Sequence, residues 1–117
     1  MVAAGYTHIN AAYAWIDPGD FNIAFMSNTD DEVWRRLTSL KQTNPGLQVW
    51  LSVGGWRMNN NDELTSDTFH SLVSGSVAEK GQRQEAFVNS LLSVLEEYGF
   101  DGVDFDWYVL HSRHLGI

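Results

Sequence analysis

Residues 82–108, QRQEAFVNSLLSVLEEYGFDGVDFDWY, change hydrophobic period part-way along, and that change decides the fold class. From Gln82 to Tyr98, Phe87, Val88, Leu91, Leu92, Leu95 and Tyr98 recur at helical spacing and predict an amphipathic helix. Gly99 stands where the last turn needs a left-handed residue. From Phe100 to Tyr108 the pattern becomes the alternation of a strand. A helix that hands the chain to a short strand through one glycine is the return limb of a parallel crossover.

The same grammar extends toward the N-terminus. Leu47 to Val53 (LQVWLSV) reads as a short apolar strand ending in Gly54-Gly55-Trp56. A polar loop, Arg57 to Ser66, and a weakly helical stretch, Asp67 to Ser74, lead on toward the long helix. Thr29-Asp30-Asp31-Glu32 has the capping-box pattern, Val33, Trp34, Leu37 and Leu40 follow at helical spacing, and Asn44-Pro45-Gly46 stops the element. Tyr6 to Ile16 (YTHINAAYAWI) reads as a buried strand closed by Asp17-Pro18-Gly19-Asp20, with a further short strand possible at Phe21 to Phe25. Strict alternation puts Thr7, Ile9, Ala11 and Tyr13 on one face of that first strand, away from Tyr6, His8, Asn10 and Ala12. The order is β-α-β-α-β with strands apolar on both faces: an α/β chain with a parallel sheet, as in a barrel or a doubly wound fold.

Composition narrows the function. The 117 residues carry 7 Lys+Arg against 15 Asp+Glu, a formal charge of −8, and no basic patch fit for nucleic acid. A 44% hydrophobic and 13% aromatic content excludes a disordered chain. With no cysteine there is no disulfide or thiolate metal site, and no apolar run nears the ~20 residues that span a membrane. No leader pattern precedes Tyr6, so the compartment is not indicated.

The chemistry concentrates in Asp101-Gly102-Val103-Asp104-Phe105-Asp106-Trp107. Alternation puts Gly102, Asp104, Asp106 and Tyr108 on one strand face, and Val103, Phe105 and Trp107 on the other, toward the helices. Two carboxylates roughly 7 Å apart on an interior face are costly and can share a proton, which points to catalysis. The alternative for a D-x-D is a pair of carboxylates at a strand end, solvated or held by loop amides. A hard-cation site is a further alternative, although the EF-hand spacing is absent.

These residues resemble a known family. The stretch Asp101 to Trp107 is similar to the D-G-x-D-x-D-W-E active-site strand of family 18 glycoside hydrolases, the chitinases. Ser52-Val53-Gly54-Gly55-Trp56 resembles their S-x-G-G motif, and Tyr6-Thr7-His8-Ile9-Asn10 through Ile16-Asp17-Pro18 resembles the strand before it, closest to the fungal type. The resemblance implies a fragment of a TIM (β/α)8 barrel, supplying its second to fourth strands over residues 1–107. It implies cleavage of chitin by the substrate's own N-acetyl group, with no cofactor and no metal. Asp106 would orient the acetamido group, Asp104 would share a proton with it, and Ser52 would hold Asp104. Tyr13 would line the sugar site beside Gly54, Gly55 and Trp56. Family members are commonly secreted.

One departure matters. The family's general acid is a Glu two residues after the second aspartate, where this chain has Tyr108, and no Asp or Glu follows. A phenol with a pKa near 10 is a poor acid here, and losing the acid costs about 10²–10⁴ in rate, so the chain is expected to be inactive. Residues 108–117 (YVLHSRHLGI) match nothing expected, and Trp-Tyr-Val can be encoded with the intron-donor string GTATGT, so the tail is read as translated intron. A barrel needs about 250 residues, so an isolated piece with open sheet edges is expected to self-associate or fold poorly. Trp34 and Trp50 are expected in the core, and His8, His70, His111 and His114 are expected to be structural or incidental. The leading expectation is a piece of a chitinase; the rival is a non-catalytic protein that binds chitin or chitooligosaccharide, and the third a metal-binding α/β protein.

Overall fold

A computed structural model describes residues 5–60 and 63–107. Strand β1 (His8–Ile16) is followed by β2 (Ile23–Phe25), α1 (Asp30–Ser39) with a 3₁₀ turn at Leu40–Gln42, and β3 (Gln48–Gly54). Helices α2 (Thr68–Val73) and α3 (Val77–Tyr98) then lead to β4 (Gly102–Asp106). The sheet order is β2-β1-β3-β4, with β1, β3 and β4 parallel and β2 antiparallel on β1. The expected parallel α/β sheet is present; the short strand expected within Phe21 to Phe25 forms at Ile23–Phe25 and makes it mixed, because the Asp17–Asp20 turn folds β2 straight back onto β1.

One face of the sheet carries the core. Ala11, Ala14, Ile16, Val49, Leu51 and Val53 are buried with Trp34, Phe87, Leu91, Tyr98 and Phe100. Helices α1 and α3 are tied by Tyr98, whose hydroxyl donates to Asp31 Oδ1 at 2.5 Å while the Arg35 guanidinium lies over its ring. Burial and the Asp31 carboxylate push the Tyr98 phenol well up, and the same hydrogen bond holds Asp31 below its ordinary value.

Several expectations need correction. Helix α3 starts at Val77, not Gln82, because Ser76 and Glu79 form a reciprocal capping box. Thr29 makes no side-chain cap; Asp30 instead accepts from the Met26 and Ser27 N–H groups and closes the turn before α1. Gly99 is left-handed at φ 81, as its position requires, and closes α3 through its bond to the Leu95 carbonyl. Val88 and Leu92 are exposed, since the apolar stripe is wider than the face α3 buries. Strict alternation fails in β1: the register on β3 shifts between Ala12 and Ala14, beside a cis Ala12–Tyr13 peptide. Ala11 and Ala14 therefore both face the core, and Tyr13 does not share their face.

Candidate active site

The site lies where β3 and β4 end, on the sheet face opposite the helices. Parallel register sets Ser52 against Asp104 and Gly54 against Asp106. Ser52 is buried, and its Oγ donates to Asp104 Oδ2 at 2.9 Å. The neighbour of Ser52 on β1 is Ala12. Asp106 follows two residues on, so the ladder directs both carboxylates to the same face. Each is half-buried.

Glycine makes the close approach possible at this end. A Cβ on Gly54 would sit 2.4 Å from the Asp106 carbonyl oxygen and 2.8 Å from the Phe69 ring, and Gly54 has φ +110. Gly55 (φ +89) lies under the Tyr13 ring, 3.1 Å from where a Cβ would be, and its N–H donates to the Asp106 carbonyl at 2.9 Å. Trp56 is 58% exposed at the mouth. Trp107 stacks on Phe69 and Phe105 packs on Phe87, so the alternate residues of β4 meet α2 and α3.

Trp34 is in the core, but Trp50 is not: it stands on the Ser52 face, against His8 and over Gly102, where a Cβ would come within 2.8 Å of its ring. His70 is exposed on α2. Tyr108, His111 and His114 lie outside the described residues. Among the described residues no group of three His, Asp or Glu side chains gathers as a metal site, and no helix is long and apolar enough to cross a membrane.

At this sheet pair one residue, Asn59, escaped sequence reasoning, and another, Asp101, was quoted there without the contact it makes. Asn59 is buried, and its Nδ2 donates to the Gly55 carbonyl at 2.7 Å and more weakly to the Asp106 carbonyl at 3.4 Å. It reads as one of several asparagines in a polar loop, and no local signal marks it. Asp101 accepts from the Val49 N–H; its place as the first residue of the motif, just ahead of the strand, was the available signal.

Against this geometry, the sequence profile of "Glycosyl hydrolases family 18" matches residues 2–114. The chain belongs to glycosyl hydrolase family 18. Its sequence is 34% identical over 106 residues to the "Endochitinase" of Brugia malayi, covering 86% of this chain and 19% of that protein. The fold superposes with TM-score 0.69 at 29% identity on catalytic domain 2 of the Ostrinia furnacalis group II chitinase in complex with penta-N-acetylchitooctaose, covering 90% of this chain and 25% of that one. It also matches human YKL-39, described as a pseudo-chitinase with retained chitooligosaccharide binding properties, with TM-score 0.66 at 27% identity over 86% of this chain and 24% of that one. The family 18 chain thus spans about a fifth of the curated relative's length, and its α/β sheet is a portion of a TIM-barrel fold.

Proposed function

We propose that this chain supplies the second, third and fourth strands of a chitin-cleaving barrel, with residues 1–107 as the partial domain. The observation that carries the reading is the Ser52 Oγ–Asp104 Oδ2 hydrogen bond at 2.9 Å, with Asp106 next along the same face. In this reading the acetamido oxygen of a bound N-acetylglucosamine unit attacks its own anomeric carbon, and the bond to the departing sugar breaks. Asp106 orients that acetamido group, Asp104 shares a proton with Asp106, and Ser52 keeps Asp104 in place. Tyr13, Gly54, Gly55 and Trp56 border the bound sugar.

The departing oxygen needs a proton, and position 108 offers a tyrosine in place of a glutamate. The chain alone is therefore proposed to be inactive on chitin and to associate through its open sheet edge at β4, where Phe105 and Trp107 are exposed. Incubation of the 117-residue chain with a chromogenic chitobioside is expected to release no chromophore. Turnover that disappears in Asp106→Ala would refute the inactivity.

A second reading is a non-catalytic chitooligosaccharide binder, favoured by Tyr108 and by the likeness to a pseudo-chitinase. Titration calorimetry with chitooligosaccharide and comparison of the genomic locus with its transcript separate the two. Binding, together with an exon uninterrupted through Ile117, supports the binder. An intron boundary after the Trp107 codon supports residues 108–117 as translated intron and a chitinase parent.

A further inference from the structure

The first aspartate of the β4 motif takes no part in the site, yet it is the most engaged carboxylate at the foot of the sheet. Asp101 Oδ2 accepts from the Val49 N–H at 2.9 Å, and the Asp101 N–H donates to the Val49 carbonyl at 2.8 Å. Both backbone groups of one β3 residue are thus held by one residue ahead of β4. Lys41, in the 3₁₀ turn, reaches both carboxylate oxygens at 3.2 Å and also the Gly99 carbonyl. His8 adds a smaller charge effect from β1. The Val49 hydrogen bond first, and Lys41 after it, hold the Asp101 carboxyl below its ordinary value.

Val49 precedes Ser52 by three residues, and Asp101 precedes Asp104 by three. A strand that slips by one residue turns every side chain to the opposite face. A slip of β4 would bring Val103 or Phe105 against Ser52 and send both site carboxylates toward the helices. The backbone ladder does not forbid such a slip, because any residue can offer an N–H and a carbonyl. A side-chain acceptor at one defined position does.

We propose that Asp101 is a positioning residue that sets the register of β4 on β3 and thereby brings Asp104 opposite Ser52. Its importance rests on the role proposed above for that pair, but the register is measurable without any sugar, so the two ideas fail separately. The chain has no cysteine. Neighbouring strands lie about 4.8 Å apart, within disulfide reach. Oxidative cross-linking of the full chain carrying Ser52→Cys with Asp104→Cys reports the native register. Ser52→Cys with Val103→Cys, or with Phe105→Cys, reports the slipped ones.

Adding Asp101→Ala is expected to lower the ratio of native to slipped cross-link about tenfold, the scale of one charge-assisted hydrogen bond. Asp101→Asn keeps an acceptor oxygen for Val49 and is expected to restore most of that ratio. Lys41→Met leaves the Val49 bond in place and is expected to change it by less than about twofold. Tyr98→Phe, which loosens the α1–α3 contact, is expected to lower both cross-links together. An unchanged ratio in Asp101→Ala overturns the proposal, as does a fall in Asp101→Asn equal to that in Asp101→Ala. If Asp101→Ala forms no cross-link at all, Lys41→Met and Asp101→Asn decide: retained native register in both supports the pin, and its loss in either overturns it.

Discussion

The two ends of the β3–β4 ladder solve opposite problems with residues from one short motif. At the lower end, Asp101 and Lys41 add side-chain bonds to the backbone, so a carboxylate is spent on holding strands together. At the upper end, Gly54 and Gly55 carry no side chain, so the Asp106 carbonyl and the Phe69 and Tyr13 rings pack closely against the backbone beside the Asp104 and Asp106 carboxylates. Identical residue types three or five positions apart therefore do different work. In barrels of this kind the C-terminal strand ends carry chemistry and the opposite ends carry stability. The contrast is built from local contacts, and substitutions at each end break or sharpen it.

The largest effect is expected at the upper end. Gly54→Ala meets a backbone oxygen that cannot move aside and a φ of +110, so it should destabilise by about 3 kcal/mol or more in urea unfolding. A loss below about 1 kcal/mol would show that this end is not tightly packed. Ser52→Ala removes the partner of Asp104 from a buried position and should cost about 1–2 kcal/mol in the same assay.

The lower end is tested with acid. Asp101 has its carboxyl held below 3.8 in the folded chain, so its stabilisation is complete above that pH. It is lost as the pH falls through the folded value. Asp101→Asn should therefore show a shallower loss of stability below about pH 4 than the unsubstituted chain. Equal slopes would remove the charge from the account. The smallest effect belongs to neither end: Arg36→Ala breaks an exposed pair with Glu32 on α1 and should shift stability by less than about 0.5 kcal/mol.

Much of this was legible in sequence because it depends on neighbours along the chain. Periodicity located β1, α1, β3 and β4 to within a few residues, and Gly99 announced the end of α3. The start of α3 was readable too, in the capping-box pair Ser76 and Glu79. Strict alternation does not place Tyr13, because the register of β1 on β3 shifts between Ala12 and Ala14 and a period-2 pattern does not mark such a shift. Trp50 was misread for a related reason: its face of the sheet is cleared by the absent side chain of Gly102, half a chain away.

The sequence by itself determined the alternation of elements and the placing of Asp104 and Asp106 on one strand face. Those follow from backbone period and residue identity alone. Only the tertiary structure decided that Ser52 meets Asp104, that Asp101 grips Val49, and that Gly54 must stay bare beside Asp106. Each of these joins residues some fifty positions apart, and a distance of that kind is settled by strand register, which no local pattern encodes.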